Sequence, residues 1–111
     1  MVFLKEIKQI VYYSTHSGKE PYRDWSNDLP SADQAVIYAY VDRVAMGAAR
    51  KNVKPVGDGV FEIKIDRGRG FRVYSGQVGQ KIILLLLGGD KGSQKRDINL
   101  AKEYWRNYES Q

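Results

Sequence analysis

The chain has 111 residues, 42% of them hydrophobic and 28% charged, which suits one domain over residues 1–111 and leaves no room for a second lobe. It has no cysteine and one histidine, which excludes disulfides, thiolate nucleophiles and metal centres built on sulfur or several histidines. The net charge of +5 is uneven: residues 1–50 hold six basic and six acidic side chains, residues 51–111 twelve and seven. A basic second half in a chain with eight tyrosines suggests a polyanionic partner. The longest apolar run, residues 82–87, falls far short of the roughly 20 needed to cross a bilayer. Lys5, Glu6 and Lys8 interrupt the N-terminal apolar stretch that a signal peptide would keep whole. No membrane association is expected, and the cytoplasm is the expected compartment.

Residues 7–13 are rich in β-branched and aromatic side chains and end at Ser14-Thr15-His16-Ser17-Gly18, predicting a strand and a loop. Pro21 suits a first helical turn, and Tyr22, Trp25 and Leu29 follow at helical spacing until Pro30. Ser31 with Gln34 reads as a capping box for a longer helix, its stripe Ile37, Val41, Val44 and Ala48 running to about Gly47. After a turn at Gly57-Asp58-Gly59, Phe61, Ile63 and Ile65 alternate with Glu62, Lys64 and Asp66, predicting a strand with one core face and one charged face. Gly68-Arg69-Gly70 turns the chain into a partner strand, Phe71 and Val73 alternating with Arg72 and Tyr74, with a further turn over residues 76–80. Residues 82–87 are uniformly apolar and predict a strand covered on both faces. Ser93 is positioned to cap a closing helix lined by Ile98, Ala101, Trp105 and Tyr108. The predicted order is β-α-α-β-β-β-α, an α+β fold.

Two clusters could carry chemistry. The first is the polar hairpin face, Glu62, Lys64, Asp66, Arg72 and Tyr74, with Arg67 and Arg69 at its tip. Cleaving RNA by attack of a 2′-hydroxyl needs a base, positive charge for the developing phosphorane and an acid for the leaving oxygen. Without a histidine to serve, Glu62, Lys64 or Tyr74 must move the proton. The plainer reading is a solvated strand face with weak surface ion pairs, on which an exposed Arg72 contributes little to stability. The second cluster, residues 89–96, is a glycine-rich turn entering a helix, where free N–H groups with Lys91, Gln94 and Arg96 could receive phosphate. It lacks the P-loop spacing, and such turns usually only connect a strand to a helix. Trp25, Trp105 and Tyr108 read as core rather than a base-stacking platform. His16 reads as a loop residue, and the helix face with Asp33, Asp42 and Arg43 as solvated.

The second half also carries a resemblance. The run Asp58-Gly59-Val60-Phe61-Glu62-Ile63-Lys64-Ile65-Asp66, then Gly70-Phe71-Arg72-Val73-Tyr74, then Leu85-Leu86-Leu87-Gly88-Gly89-Asp90-Lys91 with Gln94, Arg96-Asp97-Ile98 and Ala101-Lys102, resembles the addiction module killer proteins. These are HigB-like and phage-derived Gp49-like members of the RelE/HigB/ParE superfamily of type II toxins. The resemblance implies a mostly antiparallel sheet packed against two N-terminal helices, with a C-terminal helix, and a toxin neutralised by an antitoxin, here a HigA-like helix-turn-helix protein. RelE and HigB relatives cleave mRNA in the ribosomal A site, chemistry that requires no metal or organic cofactor.

By the same resemblance, Arg72 stands at an arginine that contacts the scissile phosphate, Lys64 at a strand lysine of that surface, and Lys91 near a late basic residue. Glu62 replaces another basic residue, and Asp97-Ile98 stands where RelE has a catalytic tyrosine. These departures leave open a ParE-like DNA gyrase inhibitor or a non-catalytic protein that binds RNA or antitoxin. The reading adopted is a ribosome-dependent mRNA endonuclease. Arg72 and Lys91 stabilise the phosphate, Lys64 assists charge or proton transfer and Glu62 is the base. Arg67, Arg69, Tyr74, Gln94, Lys95 and Arg96 contact RNA.

Overall fold

A computed structural model describes residues 7–111, so the leader expectation for the first nine residues rests mostly outside the described residues. The elements are β1 (Gln9–Tyr12), α1 (Pro21–Asn27), α2 (Ser31–Ala45), β2 (Val53–Gly57), β3 (Val60–Ile65), β4 (Phe71–Val78), β5 (Ile82–Asp90) and α3 (Gln94–Glu109). The strands form one sheet in the order β1-β5-β4-β3-β2, with β1 parallel to β5 and the other pairs antiparallel. The architecture is mixed α+β, as expected. Among the described residues no helix is long and apolar enough to cross a membrane.

Both sheet faces are covered. Tyr22 of α1 and Ile37, Val41 and Ala45 of α2 pack on Ile63, Ile65, Val73, Ile83 and Leu85. On the opposite face Ala101 and Trp105 of α3 pack with Val60, Tyr74, Leu84 and Leu86. Residues of β5 are buried on both sides, which accounts for its run without a polar member. The hairpin's polar face, expected to be solvated, lies under α3.

Four local expectations change. β2 is an additional edge strand, hidden in the sequence because Pro55 breaks its pattern, and proline is tolerated at a sheet edge. Its turn into β3 places Gly57, Asp58 and Gly59 at φ of 100°, 57° and 86°, a left-handed run that explains the two glycines. The capping box expected at Ser31 does not form. Ser31 already lies inside α2 behind Pro30, and the Gln34 Nε2 instead donates to the Leu29 carbonyl at 2.8 Å. Ala48 falls beyond the end of α2 and is exposed; Ala45 completes the buried stripe.

β4 also runs through the expected turn at Gly76. A Cβ at Gly76 would sit inside the Trp105 ring, so this glycine serves close packing of α3 on the sheet. Gly76→Ala is therefore expected to cost about 1–3 kcal/mol through overpacking, measurable as a lower urea midpoint at unchanged m-value.

Candidate functional site

Strand register builds the site. Lys64 lies opposite Arg72, Glu62 opposite Tyr74, and Arg72 opposite Gly89. Alternation puts Glu62, Lys64, Arg72 and Tyr74 on the face that α3 covers. That cover stops short of the hairpin tip, where a cleft of about 380 Å³ opens between Lys64, Asp66, Arg67, Arg69, Arg72 and Lys91. Five predicted cations thus meet around one hollow with one carboxylate. The Arg67 Nε donates to Asp33 Oδ1 at 2.6 Å, which pins the tip to α2, and Lys64 Nζ lies 3.8 Å from Asp66 Oδ1.

Glu62 and Tyr74 lie behind this cleft. Glu62 is only 1% exposed, with its Oε1 3.3 Å from Arg72 Nε and 3.8 Å from Lys54 Nζ on β2. Its Oε2 accepts a hydrogen bond from Gln94 Nε2 at 2.8 Å, so Gln94 is engaged internally. The Arg72–Glu62 contact is close but misaligned, leaving Arg72 Nε and Glu62 Oε1 without a well-formed hydrogen bond. The expectation of a weak surface pair and an exposed Arg72 is corrected: Arg72 is 8% exposed because the first turn of α3 covers the pair. Glu62, expected to face substrate as the base, is instead buried behind the cleft with its carboxylate against Arg72.

Tyr74 is fully buried and its hydroxyl has no hydrogen-bond partner, so it cannot stack on a base. Its pKa is pushed up, first by burial and then by the Glu62 and Asp97 carboxylates, against a smaller opposing pull from Arg72. Tyr22 is raised as well, by burial and then by Tyr12. A raised folded-state pKa gives stability that is complete below the unfolded value of about 10 and is lost as pH rises beyond it. Stability is therefore expected to decline as pH rises beyond about 10, less steeply in Tyr74→Phe, as read from urea unfolding followed by circular dichroism across pH.

The glycine-rich turn differs from its expected use. Asp90 Oδ1 accepts from the Gly92 and Ser93 N–H groups at 2.8 and 3.2 Å, completing a capping box with Ser93. The carboxylate takes two of the N–H groups that a phosphate at this turn would use. Ser93 is the N-cap of α3 as expected, but its hydroxyl donates to Asp97 Oδ2 instead of accepting from a helix N–H. Lys91 lines the cationic cleft, whereas Lys95 and Arg96 line a second cleft of about 860 Å³ with Trp25. Trp25 is half-buried, on the core through Tyr22 and Phe71 and on this cleft with its remaining surface. His16 is exposed beside a separate hollow with Tyr13 and Tyr104. Two site features were missed in sequence: Lys54, on the unforeseen strand, and Asp66, seen in the cluster but given no role.

Residues 24–106 match the family of phage-derived Gp49-like proteins (DUF891), and the chain belongs to this family. The family is associated with toxins of toxin–antitoxin modules, which implies an antitoxin partner. An uncharacterised protein of Haemophilus influenzae (strain KW20 Rd) is 42% identical over 69 residues, covering 62% of this chain and 69% of that protein.

Proposed function

We propose that the protein is a toxin that cleaves mRNA on the ribosome, working in the cytoplasm and held in check by a HigA-like antitoxin. The observation that carries this reading is the convergence of Lys64, Arg67, Arg69, Arg72 and Lys91 on one cleft at the hairpin tip. A phosphodiester placed there meets cations on several sides, which stabilises charge developing on its oxygens. The 2′-hydroxyl attacks the adjacent phosphorus, the bond to the 5′-oxygen breaks, and a 2′,3′-cyclic phosphate and a 5′-hydroxyl result. Arg72 and Lys91 hold the non-bridging oxygens. Asp66, the carboxylate lining the cleft, takes the 2′ proton, and Lys64 beside it gives a proton to the leaving oxygen.

Inducing the protein alone should arrest growth and translation, with coexpressed antitoxin restoring both. Charge reversal by Arg69→Glu with Lys91→Glu should relieve the arrest at equal soluble expression, because both side chains are exposed and remote from the core. Normal growth with abundant soluble wild-type protein would exclude a toxin.

A further inference from the structure

The larger cleft has a composition unlike the cationic one. β1 pairs with β5 only as far as Leu85, where the Tyr13 N–H donates to the Leu85 carbonyl at 2.9 Å. Among the described residues no strand covers the outer edge of β5 beyond that point. The cleft opens along this edge, floored by Gly88 and Gly89. Both glycines are close-packed: a Cβ at Gly88 would enter the Trp25 ring, and one at Gly89 would strike the Asp97 carboxylate. Successive strand residues point to opposite faces, so Trp25 and Asp97 flank the edge from either side of the sheet.

We propose that this cleft receives a nucleobase bearing an exocyclic amino group, from a nucleotide next to the phosphate held in the cationic cleft. The assignment rests on the RNA reading above. An aromatic wall, a strand edge that no further described strand pairs with and a carboxylate suit a flat, hydrogen-bonding ring, which single-stranded RNA presents when its bases are splayed. A phosphate is disfavoured. The Gly92 and Ser93 N–H groups ahead of α3 are taken by Asp90, and two carboxylates line the hollow. Asp97 is 5% exposed; one of its oxygens accepts from Ser93, and the other lies 3.8 Å from Arg96 Nε. An acceptor of this kind favours an amino donor, so cytosine should be preferred to uracil, which has the same ring size but a carbonyl at that position. Lys95 and Arg96 stand at the rim for flanking phosphates. The two clefts meet at consecutive residues, Lys91 lining one and Gly92 the other, as neighbouring nucleotides require.

The test uses 5′-phosphorylated, 2′-O-methylated trinucleotides of cytidine and of uridine, which lack the attacking hydroxyl. Binding is followed on the indole N–H resonances of the two tryptophans, Trp25 and Trp105, the latter on α3 and buried against the sheet, serving as reference. The cytidine probe should shift the Trp25 signal, leave Trp105 in place and bind at least fivefold tighter than the uridine probe. Trp25→Ala should weaken binding about tenfold, and Trp25→Phe should keep most of it, because stacking needs only an aromatic face. Equal affinity for the two probes overturns the proposal. So does a titration that moves the Arg69 and Lys91 amides but not Trp25, which leaves the cationic cleft as an RNA site. Absence of binding by either probe overturns both readings.

Discussion

Arg72→Ala is expected to lose about 3–5 kcal/mol of stability as well as the cleavage reaction. Its guanidinium lies against a Glu62 carboxylate that is 1% exposed, so truncation strands a buried negative charge, with Lys54 at 3.8 Å as the remaining cation. Adding Glu62→Gln to Arg72→Ala should recover part of that loss, because the amide is neutral and can keep the contact with Gln94. The rate should stay low in both, since neither restores the charge facing the phosphorane, a deficit of typically ~10²-fold or more. Urea unfolding and single-turnover cleavage of the same proteins separate the two effects. Arg72→Lys keeps charge but loses the planar fork and should fall between wild type and alanine.

The second large effect sets two carboxylates against each other. Asp66→Asn should slow cleavage by about 10²–10⁴-fold while leaving stability within about 0.5 kcal/mol, because its side chain is 68% exposed. Glu62→Gln should show the reverse emphasis. It should lower stability by about 1.5–3 kcal/mol as Arg72 loses its partner charge, and alter rate only through a less firmly held Arg72. The unfolding midpoint and the single-turnover rate distinguish them: Asp66→Asn should lose rate at an unchanged midpoint, whereas Glu62→Gln should lower the midpoint with a much smaller loss of rate. A rate loss as large as that of Asp66→Asn in Glu62→Gln, with stability unchanged, would return the base role to Glu62.

The parts of this architecture governed by short-range pattern could be read directly. The alternation of Phe61, Ile63 and Ile65 gave the strand, the glycines near Arg69 gave the tip, and together they brought Lys64, Arg67, Arg69 and Arg72 to one place. Lys91 joined them because β5 pairs with β4 and ends beside the tip. What the pattern could not show was coverage. Glu62 and Lys64 have the same parity along one strand, yet α3 seals the first and leaves the second open, a difference set by where a helix 30 residues later crosses the sheet. The same long-range packing turned Gly76 from a turn residue into a seat for Trp105, and Trp25 from a core residue into part of a cleft wall. Asp90 likewise resembles any loop carboxylate until its bonds to the Gly92 and Ser93 N–H groups are seen.

The proposed reaction is the breakage of a phosphodiester in messenger RNA at this cationic cleft. Primer-extension mapping of a defined mRNA on translating ribosomes, with wild-type protein and with Arg69→Glu/Lys91→Glu, tests it most directly. The wild type should give discrete cuts within the A-site codon, leaving 5′-hydroxyl and 2′,3′-cyclic phosphate ends, and the charge-reversed protein should leave the message whole. Intact mRNA with folded wild-type protein, alongside DNA breaks trapped on gyrase, would contradict the account and assign the toxin to a different target.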